Sequence, residues 1–167
     1  LIEAAAARGA DALLVHHGWF WSGEDARVVG MKQRRLTVLL ANDISLLAYH
    51  LPLDGHAELG NNVQLGRVLG VSAEGRFGKG PGGGIALFGT LPQAMSGAEL
   101  AVHIARQLHR TPLHVSGGER PLRRIGWCSG AAQGWIEQAA ALGLDGFVSG
   151  EVSEQTVHAA RELGIDY

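Results

Sequence analysis

Residues 3–18 read Glu3-Ala4-Ala5-Ala6-Ala7-Arg8-Gly9-Ala10-Asp11-Ala12-Leu13-Leu14-Val15-His16-His17-Gly18. The alanine-rich stretch is helical by propensity. Gly9 is the residue type that closes a helix through a left-handed turn. Ala12-Leu13-Leu14-Val15 is too short for a helix and fits a buried strand. Residues 137–145, Glu137-Gln138-Ala139-Ala140-Ala141-Leu142-Gly143-Leu144-Asp145, follow the same plan. Glu, three Ala, Gly and Asp coincide at one fixed offset, and each copy runs into an apolar strand. At the strand's end the first copy has His16-His17 and the second has Gly150-Glu151, so Glu151 stands opposite His17. The pairing predicts two related α/β halves.

Outward from the repeat, apolar patterning predicts helices over 29–40, 62–69, 96–108, 131–142 and 152–163. Strands are expected over 45–51, 85–91, 112–115, 125–128 and 145–149. Ser96-Gly97-Ala98-Glu99 is a capping box, in which side chain and backbone satisfy each other's groups. Residues 75–84 are glycine-rich and read as a loop. Their Gly78-Lys79-Gly80 lacks the Lys-Ser/Thr opening a helix that a phosphate loop needs. Strands alternating with ten-residue helices point to an α/β fold with a largely parallel sheet. The expected organisation is a first α/β lobe over 1–70, an intervening segment over 71–122 and a second lobe over 123–167. The chain opens already helical and closes as a strand begins, so both lobes are expected to be cut and the sequence to be the middle of a longer protein.

The 167 residues are 46% hydrophobic and 18% charged, enough to bury a core. A net charge of −2 argues against a broadly basic nucleic-acid surface. One cysteine, Cys128, excludes an internal disulfide and suits a reducing, cytoplasmic compartment. No apolar run is long enough to span a membrane.

Ligands of α/β sheets gather at the carboxyl ends of strands. His16 and His17 sit at one such end, and His50-Leu51-Pro52-Leu53-Asp54-Gly55-His56 at another. Imidazole with carboxylate suits Zn, Mn or Fe divalent ions. Each residue also has a plainer reading. His16 and His17 fit a hydrogen-bonded pair, His50 a structural histidine before Pro52, and Asp54 an Asx turn through Gly55. His103, His109, His114 and His158 read as non-ligands. Cys128 reads as a small buried residue, while the turn Cys128-Ser129-Gly130-Ala131-Ala132 offers amides that could hold an anion. Trp19, Phe20 and Trp21 read first as core, and otherwise as a platform for a base or a subunit contact.

The segments His16-His17-Gly18-Trp19-Phe20-Trp21, His50-Leu51-Pro52-Leu53-Asp54-Gly55-His56, Leu59-Gly60-Asn61-Asn62 and Ser149-Gly150-Glu151-Val152-Ser153-Glu154-Gln155 together resemble one family. It is the NIF-three-like dinuclear metal proteins, also called the GTP cyclohydrolase 1 type 2 family. The resemblance covers almost the whole chain. It implies an α/β fold, a ring-shaped homohexamer and a site for two divalent cations. Carried over, His16, His17 and Asp54 are metal ligands, and a later His and Glu would lie beyond Tyr167.

The resemblance implies a dinuclear-metal-dependent hydrolase, in which two ions about 3.5–4 Å apart share a water and ionise it. The family name implies a nucleotide-like substrate, as in opening GTP. Glu151, opposite His17, is the candidate proton carrier or orienting carboxylate, with a helix-capping role as its alternative. A non-enzymatic, metal-binding hexameric scaffold is the alternative function. With three of five ligands, the chain by itself is expected to bind one ion weakly or none and to be inactive.

Overall fold

Helix α1 (Ile2–Ala7) ends where Gly9 takes a φ of +63°, and β1 (Ala12–Val15) follows. Helix α2 (Gly30–Ala41) then returns the chain to β2 (Ser45–Ala48), which pairs parallel with β1 from Ala12↔Ser45 to Val15↔Ala48. Ala5, Leu39 and Ile44 are the buried centre of this unit, with Leu13, Trp19 and Leu46 packed around them. The structure, a computed structural model, describes residues 1–80 and 82–167. The chain forms two compact units, Leu1–His50 and Leu51–Tyr167. The sequence pattern draws its limits after residues 70 and 122, whereas the contacts draw one limit, between His50 and Leu51.

The second unit opens with a single helical turn, α3 (Leu51–Asp54), and α4 (Asn61–Leu69), closed by Gly70 in the left-handed region. Strands β3 (Gly75–Phe77), β4 (Ala86–Met95), β5 (Leu122–Cys128) and β6 (Gly146–Ser149) form one sheet in that order. Helix α5 (Gly97–Leu108) carries the expected capping box: the Glu99 amide donates to Ser96 Oγ at 3.2 Å and the Ser96 amide to Glu99 Oε2 at 2.7 Å. Helices α6 (Ile136–Ala141) and α7 (Glu154–Leu163) flank β6 in the chain. Apolar clusters pack around Phe147 and Ala86, and around Trp127 and Leu87. Gly66 lies under Trp127, where a Cβ would come within 2.6 Å of the indole ring. No helix among the described residues is long and apolar enough to cross a membrane.

The α/β class holds, but the largely parallel sheet does not. β1–β2 and β5–β6 are parallel, whereas β3–β4 and β4–β5 are antiparallel. The few residues between Phe77 and Ala86 cannot make a parallel crossover, which needs about a dozen. Met95 pairs with Leu122, so α5 and the irregular stretch after it return the chain to the end it left. Three local expectations also change. The strand expected over 45–51 stops at Ala48, because Pro52 fits the first turn of a helix and not a ladder. Residues 112–115 form no strand, although Val115 and Tyr167 exchange amide–carbonyl bonds of 2.7 and 2.9 Å. The helix expected from 131 begins as a 3₁₀ turn, Gln133–Trp135.

The internal repeat is written in the backbone bonds. At an offset of 134, that of Glu137 against Glu3, the Gly9 amide donates to Ala6 O and the Gly143 amide to Ala140 O. Ala10 N bonds Ala5 O as Leu144 N bonds Ala139 O. Past the connection after the first strand the offset becomes 121: Ile44 N bonds Leu39 O as Ile165 N bonds Ala160 O, and Ser45 N bonds Asp11 O as Asp166 N bonds Asp145 O. Gly146 and Asp166 then form a parallel bridge, the counterpart of β1–β2. The helix-closing glycines share φ values of +63° and +68°.

Candidate metal centre

Parallel pairing of Val15 with Ala48 makes His16-His17 and Tyr49-His50 leave adjacent strand ends side by side. His16 Nδ1 donates to the Tyr49 carbonyl at 2.8 Å. A carbonyl only accepts, so Nδ1 carries the proton and Nε2 the lone pair of the neutral ring. The His16, His17 and His50 ring centres lie 4.7, 5.0 and 4.8 Å apart. One ligand nitrogen from each lies within 4.8 Å of the others. His16 and His50 are half-buried and His17 is exposed. Such a set fits a divalent transition-metal ion: nitrogen donors converge, and one ring is held through its other nitrogen as ligating histidines are.

The sequence reading places His16 and His17 together and takes His50 as structural; the structure sets the His50 ring beside theirs. A signal for it exists, since parallel strands joined by a helix end at the same edge. Trp21 stands edge-on to His17 and His50, 5.8 and 5.3 Å between ring centres. Beside them is a cavity of about 480 Å³, lined by residues 18–22, Leu36, Leu39, Leu40 and His50 among others. Core packing describes Trp19, over which Arg35 lies at 5.8 Å. Phe20 and Trp21 are instead 74% and 48% exposed.

Asp54 and Glu151 belong to the second unit. Asp54 is buried at the end of α3, and Asn61 Nδ2 donates to its Oδ1 at 2.7 Å. The loop closes on Gly60, where a Cβ would stand 2.3 Å from the His56 carbonyl and 2.9 Å from that of Asp54. His56 Nδ1 accepts the Glu58 and Leu59 amides, so this ring caps the loop. Glu151 is exposed just past β6, and its carbonyl accepts the Tyr167 hydroxyl. It shares a cavity of about 460 Å³ with Ser129, Ser149 and Tyr167. Burial raises the Tyr167 phenol above its ordinary value, with a Ser149 bond opposing and Glu151 adding.

The remaining candidates resolve into structure. His103 Nε2 donates to Leu69 O, and His114 Nε2 pairs with buried Asp166 at 2.8 Å. His109 closes α5 in the left-handed region. Cys128 is buried, which pushes its thiol up to about 11, with Asn62 opposing and Asp54 adding. In the turn after it, two amides are already engaged: Ser129 N bonds Asn62 Oδ1 at 2.7 Å and Ala132 N bonds Gly130 O at 3.0 Å. Gly78 packs where a Cβ would meet the Trp135 ring at 2.7 Å, so close packing accounts for a glycine of the 75–84 loop.

The family model described as Duf34/NIF3 (NGG1p interacting factor 3) matches residues 1–167. The chain is 58% identical over 167 residues to the "GTP cyclohydrolase 1 type 2 homolog" of Pseudomonas aeruginosa, covering 100% of itself and 66% of that protein. It is 46% identical over 168 residues to the protein of the same name in Escherichia coli, again covering 66% of the relative. It thus spans just under two thirds of the length of these curated relatives. The solved structure of "protein ybgI, unknown function" superposes with a TM-score of 0.89 at 46% identity, over 99% of this chain and 65% of that one. TTHA1606 from Thermus thermophilus superposes with a TM-score of 0.80 at 30% identity, over 99% and 64%. A family match over every residue, on a fold with the parallel β1–β2 pair that sets its histidines together, settles the classification: the chain belongs to the Duf34/NIF3 family.

Proposed function

We propose that this chain is the part of a metal-dependent hydrolase that holds its ions and meets a nucleotide-like substrate. The observation that carries the reading is the convergence of imidazole nitrogens at the β1 and β2 ends. His16 and His17 would hold divalent Zn, Mn or Fe, with Asp54 supplying the carboxylate. Two such ions would supply Lewis acidity and a water acidic enough to ionise near neutral pH. The substrate class rests on the relatives named GTP cyclohydrolase 1 type 2 homolog. Phe20 and Trp21 offer exposed aromatic faces on which a base could stack. Glu151, at the position equivalent to His17, is the residue proposed to carry a proton, since an exposed carboxylate on a cavity wall can take up and release one.

Self-association into a homohexamer is part of the same proposal. Exposed Leu14 and Leu47 on the two-stranded sheet of the first unit, and Tyr49 just past it, are apolar side chains that an assembly would cover. The lone buried thiol suits a cytoplasmic setting. The exposed Phe20 and Trp21 also favour a second reading, a metal-binding scaffold that captures a partner without turnover. The test is metal content and hydrolysis of a nucleotide panel by the full-length protein with Mn, Zn or Fe. Replacing His16, His17 or Asp54 by Ala is expected to lower both. Undiminished metal content in all three variants would end the metal reading, and metal binding with no turnover would favour the scaffold.

A further inference from the structure

We propose that Asn61 is a positioning residue for Asp54, fixing the plane of the carboxyl group that a cation would meet. The assignment rests on the proposed function, in which Asp54 supplies the carboxylate, and adds to it the side chain that aims that carboxylate.

The contact is short and its sense is fixed. Asn61 Nδ2 lies 2.7 Å from Asp54 Oδ1. An ionised carboxylate only accepts, so the amide must present its NH₂ there. Asp54 is 6% exposed, and a buried carboxylate that turned about its Cβ–Cγ bond would forfeit this bond. The loop between the two residues is closed on itself: the Gly60 amide donates to His56 O at 3.1 Å, and His56 Nδ1 accepts the Glu58 and Leu59 amides, each at 3.1 Å. Asn61 opens α4, and the next residue ties that end of the helix to the four-stranded sheet. Asn62, 1% exposed, donates through Nδ2 to Ile85 O, accepts the Ser129 amide at Oδ1, and accepts Trp127 Nε1 at its carbonyl, each at 2.7 Å. The donor that aims Asp54 is therefore mounted on a rigid element, as a precise site requires.

The residue type suits the part. Asparagine donates a hydrogen bond and carries no charge, so it orients the carboxylate without neutralising it. Lysine or arginine at the same place would offset the negative charge that draws a cation. Carboxylates that ligate metals are themselves hydrogen-bonded, and losing such a partner typically costs about 10- to 100-fold in metal affinity. The adjacent asparagines thus divide the work: Asn62 fixes backbone to backbone, and Asn61 fixes one side chain.

The test uses the full-length protein, with Zn²⁺ and Mn²⁺ affinity read by equilibrium dialysis and stability by urea melts. Asn61→Leu keeps the bulk and removes the donor; Asn61 is itself exposed, so the fold should accept the change. It should weaken metal binding about 10- to 100-fold while the urea midpoint stays near that of the unaltered protein. Asn61→Gln keeps an amide donor and should recover part of the loss. Gln64→Leu is the control: it removes an amide donor to Glu58 O, at 2.6 Å in the same loop, and should leave metal affinity unchanged. An equal loss in Gln64→Leu and Asn61→Leu would mark a loop defect and overturn the positioning role. If Asn61→Leu binds as the unaltered protein does while Asp54→Ala loses metal, the positioning role is overturned and the proposed function stands. If Asp54→Ala also binds normally, the carboxylate's place in the proposed function falls, and the role of Asn61 with it.

Discussion

The segment from α1 to β2 and the segment from α6 to the Asp166 bridge share four backbone bonds at equivalent positions, yet they differ after the first strand. Fourteen residues, 16–29, join β1 to α2, whereas four, 150–153, join β6 to α7. The longer connection opens with His16-His17 and holds Trp19, Phe20 and Trp21; the shorter one is Gly150-Glu151-Val152-Ser153. The loop past the carboxyl end of a strand can grow without disturbing the helix and strand it links. That tolerance is why such loops hold chemistry on a scaffold kept rigid by packing.

The largest effect should separate the equivalent positions His17 and Glu151. In the full-length protein, Glu151→Gln should lower turnover by about 10²- to 10⁴-fold, the usual worth of a proton-transferring group. Its metal content, measured by elemental analysis, should not change. Metal loss in Glu151→Gln would erase the proposed division between the two copies.

The shared scaffold predicts matched costs instead. Ile44→Ala and Ile165→Ala remove equivalent side chains, 6% and 1% exposed. Each should cost about 2–5 kcal/mol in denaturant melts, with Ile165 the larger. A negligible cost at either site would break the equivalence. Gly9→Ala and Gly143→Ala place a side chain at φ of +63° and +68°, with no atom closer than 3.7 Å to the new Cβ. Conformation alone then sets a cost of about 1–2 kcal/mol each, and thermal melts should fall by similar amounts.

Much of this pairing is legible in the sequence because it is local. The Ala-rich helix, the glycine stop and the aspartate before each strand all fall within one short window, and the capping box runs only from Ser96 to Glu99. What is not legible depends on distant partners. β3 hides among glycines at Gly75–Phe77, and only its ladder with β4 makes it a strand. Leu51–Asp54 continues an apolar run in the sequence but turns into a helix at Pro52. His50 reads as structural because its neighbours His16 and His17 are far away along the chain, and only the β1–β2 register brings them beside it.

The smallest effect at neutral pH is expected from Cys128. Its folded value of about 11 lies above the ordinary 9.0. The folded protein therefore keeps its proton where the unfolded chain loses it, so stability should be flat below about pH 9 and fall between about 9 and 11. Urea midpoints of Cys128→Ala, compared with the unaltered chain across that range, should lack the component of the decline due to Cys128. An equal decline in both would assign it to other groups.

Under the proposed function, the connection after β1, and not its counterpart after β6, carries the metal-binding side chains. Equilibrium dialysis against Zn²⁺ tests this directly, comparing the full-length protein with its double variant His16→Ala/His17→Ala. Bound zinc is expected in the first, and its loss, with the fold retained, in the second. Equal zinc content in the two proteins would contradict it.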